Sequence, residues 1–153
     1  QEILESGGTM STAWGRIFHL YGPYEYPARL VPSIILPLLK GNRAACTHGK
    51  QIRDFLHVRD VADAFVTLME HSYIGAVNIG SGKDVSIRTV IETIGTQLDA
   101  MHLIDFGAIN APTDPLRLTP TVQRLQSEIG WKPTVTLEEG IAETISWWRT
   151  HGE

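Results

Sequence analysis

The chain has 153 residues, 42% of them hydrophobic and 20% charged, close to the average of soluble globular domains and unlike a wholly disordered chain. Thirteen Lys and Arg against 17 Asp and Glu leave a net charge of −4, and with no basic run the chain has no electrostatic footprint for nucleic acid. The longest apolar stretch, Leu30 to Leu39, is interrupted by Pro32, Ser33 and Pro37 and falls far short of the ~20 residues of a membrane span. A single cysteine cannot form an internal disulfide, and the cytoplasm is the expected compartment.

The chain opens Gln1-Glu2-Ile3-Leu4-Glu5-Ser6-Gly7-Gly8, helical over Glu2–Glu5 with no N-cap residue ahead and no signal-peptide pattern. That is expected of the tail of an element begun upstream, in a longer protein. An ordinary frayed terminus is the alternative. Ala13–Leu20 then reads as a largely buried strand, ended by the turn pair Gly22-Pro23. Arg29–Lys40 places Leu30, Val31, Ile34, Ile35, Leu38 and Leu39 at helical spacing, with a bend expected at Pro37 and Gly41 at C′. Short strands follow at Ala44–Thr47 and Asp54–Val58, and Asp60 is the expected N-cap of a helix carrying Val61, Phe65, Leu68 and Met69.

Ala76–Ile79 is a strand closed by Gly80-Ser81-Gly82, and Ser86 caps a helix burying Val90, Ile91, Ile94 and Leu98. Leu103–Phe106 reads as a strand. With Pro112, Pro115 and Pro120, the segment Ala111–Pro120 reads as an irregular loop. Thr121 is the expected cap of a short helix with Val122, Leu125 and Ile129 inward, stopped at Gly130. Thr136-Leu137-Glu138-Glu139 is a capping box opening a helix that buries Leu137, Ile141, Ile145 and Trp148. Strands alternating with helices indicate an α/β architecture with parallel pairing.

A self-contained active site is hard to find. Gly80-Ser81-Gly82 lies between strand and helix, as a phosphate-cradling turn would, but neither the dinucleotide fingerprint nor the Walker pattern completes there, and a plain turn is preferred. The six histidines form no HxH or HExxH pair, Cys46 reads as a core filler, and Trp147-Trp148 as packing. Two features resist a purely structural reading. Arg16 and His19 stand in a strand otherwise fit for burial, as members of a structural ion pair or as ligand groups. Arg53 stands at a strand mouth, where α/β sheets bind ligands; it either pairs with Asp54 or offers its planar fork to a diphosphate.

Four motifs occur in order. Arg16-Ile17-Phe18-His19-Leu20-Tyr21-Gly22-Pro23 resembles an "R-x-x-N-x-Y-G-P" stretch, and Arg53-Asp54-Phe55-Leu56-His57-Val58-Arg59-Asp60-Val61-Ala62 an "R-D-[FY]-[IVL]-H-V-x-D-[VL]-A" stretch. Val77-Asn78-Ile79-Gly80-Ser81-Gly82 resembles "Y-N-[IL]-G-[ST]-G", and Ile129-Gly130-Trp131-Lys132-Pro133 with Leu137-Glu138-Glu139-Gly140-Ile141 resembles an "L-G-W-x-P … L-E-E-G-[IL]" ending. Together they resemble the C-terminal half of the NAD-dependent epimerase/dehydratase family, extended short-chain dehydrogenases acting on nucleotide sugars. The strings Tyr-Gly-Pro-Tyr and Gln-Ile-Arg-Asp lean toward its dehydratase side.

The resemblance implies a fold of late strands and helices of a Rossmann-type parallel sheet plus the smaller C-terminal substrate-binding lobe. Residues 1–22 and about 53–72 would complete the Rossmann domain, and about 23–52 and 73–153 would form the lobe. The family's Gly-x-x-Gly-x-x-Gly fingerprint and Tyr-x-x-x-Lys catalytic pair do not occur in the sequence, so no catalytic residue is expected here and the chain alone is expected to be inactive. The implied cofactor is NAD or NADP, held largely by an N-terminal Rossmann half. The implied partner is a nucleotide diphosphate sugar, and a homo-oligomer is expected. By carry-over, Ile17 and Phe18 would lie beside the nicotinamide, and His19 would replace the asparagine that hydrogen-bonds the sugar. Arg29, Leu30 and Val31 would meet the base and Arg53 the diphosphate. Ala111 stands where a second diphosphate arginine is common, with Arg117 as its candidate substitute. The shared opening step would be hydride transfer from sugar to NAD(P). A non-catalytic nucleotide-binding module and a pure interaction domain are the alternatives.

Overall fold

The computed structural model describes residues 11–152; the helical segment expected over Glu2–Glu5 lies outside them. Strand β1 (Ala13–Ile17) pairs in parallel with β6 (Gly75–Ile79), Ile17 opposite Ile79. Strand β2 (His19–Tyr21) pairs in parallel with β5 (Phe55–His57), Tyr21 opposite His57. The single strand expected over 13–20 therefore breaks at Phe18, and its halves take different partners. Nor is its first half buried: Trp14 is 71% and Ile17 42% exposed, and Arg16 is exposed. Among the described residues β1 is hydrogen-bonded along one edge only, to β6, which leaves much of it in solvent. Arg16 consequently carries no burial cost, and the ion-pair argument falls away for it. Helix α2 (Val58–Glu70) covers β1 at Gly15, where an added Cβ would come within 2.5 Å of the Phe65 ring.

Strands β3 (Ala44–Cys46) and β8 (Ile104–Phe106) form a second parallel pair. Around β4 (Ile52–Arg53) lie β7 (Val85–Ser86), antiparallel, and β9 (Arg117–Leu118), parallel. Strands this short show no periodicity, so the loop expected over 111–120 conceals one of them.

Helix α1 (Leu30–Leu39) runs through Pro37 and ends at Gly41, whose φ of 70° and N–H donation to the Leu38 carbonyl (3.0 Å) fit the C′ role. Ser86 caps α3 (Ile87–Gln97), accepting from the Thr89 N–H at 3.0 Å. At α4 (Gln123–Ser127) the N-cap position falls on Val122, without a side-chain cap, rather than on Thr121. The reciprocal capping box at Thr136 and Glu139 opens α5 (Leu137–His151).

Asp60 departs most from expectation. Helix α2 begins earlier, with His57 at N-cap, and Asp60 stands buried inside its first turn. There its carboxylate accepts from the Thr134 N–H (3.2 Å), the Thr134 hydroxyl (2.9 Å) and the Val135 N–H (3.0 Å). It serves as a tether that holds the segment ahead of α5 against α2.

Two cores result. One joins α1, α3 and α5 with Ala44 and Cys46; the other joins α2, Leu56, β6, Leu125, Ile129 and Trp131. The Trp131 indole N–H donates to Asp63 on α2 at 2.8 Å. Packing thus joins β6 and residues 125–131 to the β1–α2 side, whereas the resemblance would group them with the substrate lobe. Tyr21 belongs to the first core: its ring stands edge-on to His57 at 5.4 Å, against Gly140 of α5.

Candidate functional site

A cavity of about 370 Å³ opens between β2, β4, the start of α1 and the loop after β8. This size suits a small-molecule site. His19, Arg29, Leu30, Val31 and Arg53 all line it. Residues from widely separated segments meet because β2 ends beside the turn into α1, while β4 enters from the other side.

Its walls carry polar atoms with nothing to bond. Gln51 is 5% exposed, and its Oε1 is buried and unpartnered; His19 Nδ1 and Glu25 Oε2 share that condition. Unsatisfied buried polar atoms are costly, and a ligand is a common reason for tolerating them. Burial, reinforced by Arg53 and Arg29, pulls the His19 pKa down, so its ring stays neutral and can donate from one nitrogen and accept at the other. Burial also pushes the Glu25 carboxyl up to about 7, against the opposing pull of Arg29 and the Gly22 amide. The thiol of Cys46 lines the same cavity, and burial raises its pKa, as befits a core filler and not a nucleophile.

Arg53 is only 4% exposed. One guanidinium nitrogen donates to the Ile52 carbonyl (2.8 Å) and the Pro115 carbonyl (3.1 Å), while the other lies 3.8 Å from Asp114. Asp54 takes no part in this. Its two carboxylate oxygens accept from the Ser81 N–H (2.8 Å) and the Gly82 N–H (2.7 Å). The adjacent pair thus points to different tasks. The glycine turn is spoken for as well: its N–H groups hold the chain's own carboxylate, leaving them no phosphate to bind.

Arg117 does not reach the cavity; it stands on β9, exposed, in an ion pair with Asp84 at 2.7 Å. Its partner Asp84 directly precedes β7, so the pair lies outside the cavity lining. Ile17 and Phe18 lie outside the cavity lining, at the carboxyl end of β1, with Ile17 partly exposed and Phe18 half-buried. Ligands of open α/β sheets gather at such strand ends. The sequence reading missed Glu25, Gln51 and Asp114. Two of them stood beside visible signals, Gln51 just before the Arg53 motif and Asp114 at the end of the stretch inspected for an arginine, whereas Glu25 carries no motif of its own.

Among the described residues no helix is long and apolar enough to cross a membrane. A model of the NAD dependent epimerase/dehydratase family matches residues 1–80. The human dTDP-D-glucose 4,6-dehydratase is 32% identical over 144 residues, covering 88% of this chain and 40% of the relative. The Escherichia coli dTDP-glucose 4,6-dehydratase is 33% identical over 157 residues, covering 89% and 43%. The chain thus spans about 40% of the length of the curated relatives it matches. The crystal structure of the Bacillus anthracis dTDP-glucose 4,6-dehydratase in complex with NAD superposes with a TM-score of 0.81 at 28% identity, over 90% of this chain and 44% of that one. A UDP-N-acetylglucosamine 4-epimerase from Methanobrevibacter ruminantium, in complex with UDP-N-acetylmuramic acid, gives 0.87 at 24% identity over 98% and 50%, a likeness of fold alone. With more than half its residues matched by the family model and the fold shared over nearly its whole length, the chain belongs to the NAD dependent epimerase/dehydratase family.

Proposed function

We propose that this chain supplies the substrate-holding part of an NAD(P)-dependent nucleotide-sugar epimerase or dehydratase. The observation that carries the reading is the convergence of His19, Arg29, Leu30, Val31 and Arg53 on one cavity with unpartnered buried polar walls. In this reading Leu30 and Val31 form the apolar seat of the base with Arg29 at its rim, and Arg53 holds the diphosphate by charge-assisted hydrogen bonds. The neutral ring of His19 bonds the sugar. The contribution to rate is orientation, with the sugar carbon held where hydride can leave it.

Bound NAD(P) would accept that hydride. For the cofactor the described residues offer an apolar edge at Ile17 and Phe18, while the glycine turn that could have held its phosphates is closed by Asp54. The fit is therefore partial, and cofactor grip and proton transfer are assigned to a segment carrying the fingerprint and the Tyr-x-x-x-Lys pair, neither of which the sequence contains. The 153-residue chain alone is expected to show no turnover with NAD and nucleotide sugars.

Titration calorimetry of the chain with dTDP-glucose and UDP-glucose tests the reading. Arg53→Ala should weaken binding by about 1.5–3 kcal/mol, the range for hydrogen bonds to charged groups. Arg53→Lys should recover only part, since an ammonium lacks the planar fork. Arg117→Ala should change little. Unchanged affinity in Arg53→Ala, with the variant folded by circular dichroism, refutes the assignment. Self-association is part of the same reading: Trp14 and Ile17 leave β1 with exposed apolar surface, and Trp14→Glu should lower the mass seen by light scattering.

A further inference from the structure

Glu25 has no place in the reading above, yet the fold delivers it into the same cavity. Tyr24, directly before it, has a φ of 65°, a left-handed conformation unusual for a bulky residue, and packs its exposed ring 4.8 Å from Trp147. That reversal turns the chain so that the next side chain, Glu25, faces the cavity wall with only 10% of its side chain exposed. One carboxylate oxygen lies 3.8 Å from the Arg29 Nε; the other is buried and bonded to nothing.

We infer that Glu25 is a built-in counter-ion of Arg29 that competes with a nucleotide's diphosphate, so that the chain takes up a proton at Glu25 when it binds a nucleotide sugar. The charges of the cavity support this. Lining the cavity with Glu25 are Arg29 at the N-cap of α1, Arg53 from β4, Asp114 from the loop after β8, the neutral His19 from β2 and the thiol of Cys46 from β3. With Glu25 ionised, two guanidinium charges meet two carboxylates, and the cavity offers a dianion no net attraction. With Glu25 protonated, the balance becomes positive, Arg29 is free to turn to the ligand, and the buried carboxyl gains an O–H to donate. Burial places that change near neutrality, about 7.

The inference rests on nucleotide sugars binding in this cavity, and calorimetry separates the two claims. The probes are UDP-glucose and dTDP-glucose, whose diphosphate is a diester without a group that titrates between pH 6 and 8.5. For a wild-type 153-residue chain that binds only with Glu25 protonated, affinity should fall about 25-fold from pH 6.5 to 8.5. At pH 7.5, titrations in buffers of different ionisation enthalpy should count about three quarters of a proton taken up. Glu25→Gln should bind with affinity independent of pH and no proton uptake, at or above the wild-type affinity at pH 8.5. Binding that is equally tight across the range, or a pH slope retained in Glu25→Gln, overturns the inference and leaves the cavity reading standing. No heat from either nucleotide sugar at any pH overturns both.

Discussion

A helix-interior glycine changed to alanine ordinarily gains about 1 kcal/mol, because alanine loses less entropy on folding and has the higher helix propensity. Gly140, inside α5, should behave in the opposite way. A Cβ built there would run into the Tyr21 hydroxyl, with Tyr21 Cζ at 2.9 Å and His57 Cδ2 at 3.0 Å. Tyr21 is 2% and His57 1% exposed, so neither ring can move into solvent to make room. Overpacking a closed core costs about 1–3 kcal/mol or more, and here two aromatic rings must shift together. We expect Gly140→Ala to lose about 2 kcal/mol net, roughly 4–8 °C in Tm for a chain of this size. Thermal and urea unfolding of the 153-residue chain measure it directly. A double-mutant cycle with Tyr21→Phe adds the decisive comparison. Removing the hydroxyl takes away the nearest atom and sacrifices little else, since its own bond to the Leu137 carbonyl is long at 3.5 Å. Gly140→Ala should therefore cost clearly less in the Tyr21→Phe background. A neutral or stabilising Gly140→Ala, or strict additivity in the cycle, would refute the packing argument.

Asp60→Ala should destabilise by about 1–3 kcal/mol, because it removes the buried acceptor of the part-buried Thr134 and Val135 donors; a urea midpoint shift worth less than ~1 kcal/mol would contradict the tether. His57 is buried with both ring nitrogens unpartnered, and desolvation holds its pKa below the ordinary histidine value. The folded state keeps the ring neutral while the unfolded ring takes a proton, so His57 leaves stability intact above about pH 6.5 and lowers it as pH falls; His57→Gln should flatten that acid limb of a stability–pH curve.

Much of the scaffold was legible because its signals are local. The capping box at Thr136 and Glu139, the cap at Ser86 and the glycine stop at Gly41 each depend on a few neighbouring residues, and each stands where the sequence placed it. Asp60 was misjudged for the opposite reason. A carboxylate ahead of a helical pattern resembles an N-cap, but its donors, Thr134 and Val135, lie more than seventy residues away. The strands β4, β7 and β9 escaped notice because two residues have no period, and β1 was taken as buried because apolar content was read without its partners. At the site, Arg53 and His19 carried visible motifs. Glu25 did not, since its importance arises from a backbone reversal at Tyr24 that no side-chain pattern announces.

The way the chain spends its carboxylates determines where a ligand's charge can go. Asp54 closes the glycine turn, which would otherwise be the natural anion cradle beside a strand end, and Asp60 saturates the N–H groups of Thr134 and Val135. Arg117 is engaged by Asp84 and Arg43 by Asp105, both at the surface. The cations that remain facing the cavity are Arg29 and Arg53, each with a loose carboxylate 3.8 Å away. Such pairs are weak enough to exchange for a better-placed anion. They are not equivalent, however. The Arg53 fork is held by the Ile52 and Pro115 carbonyls and is already oriented, while the Arg29 side chain is 60% exposed and, among the described residues, paired with Glu25 alone. Arg53 therefore fits the role of fixed grip and Arg29 that of the adjustable one. A neutralised Glu25 strengthens the second without disturbing the first.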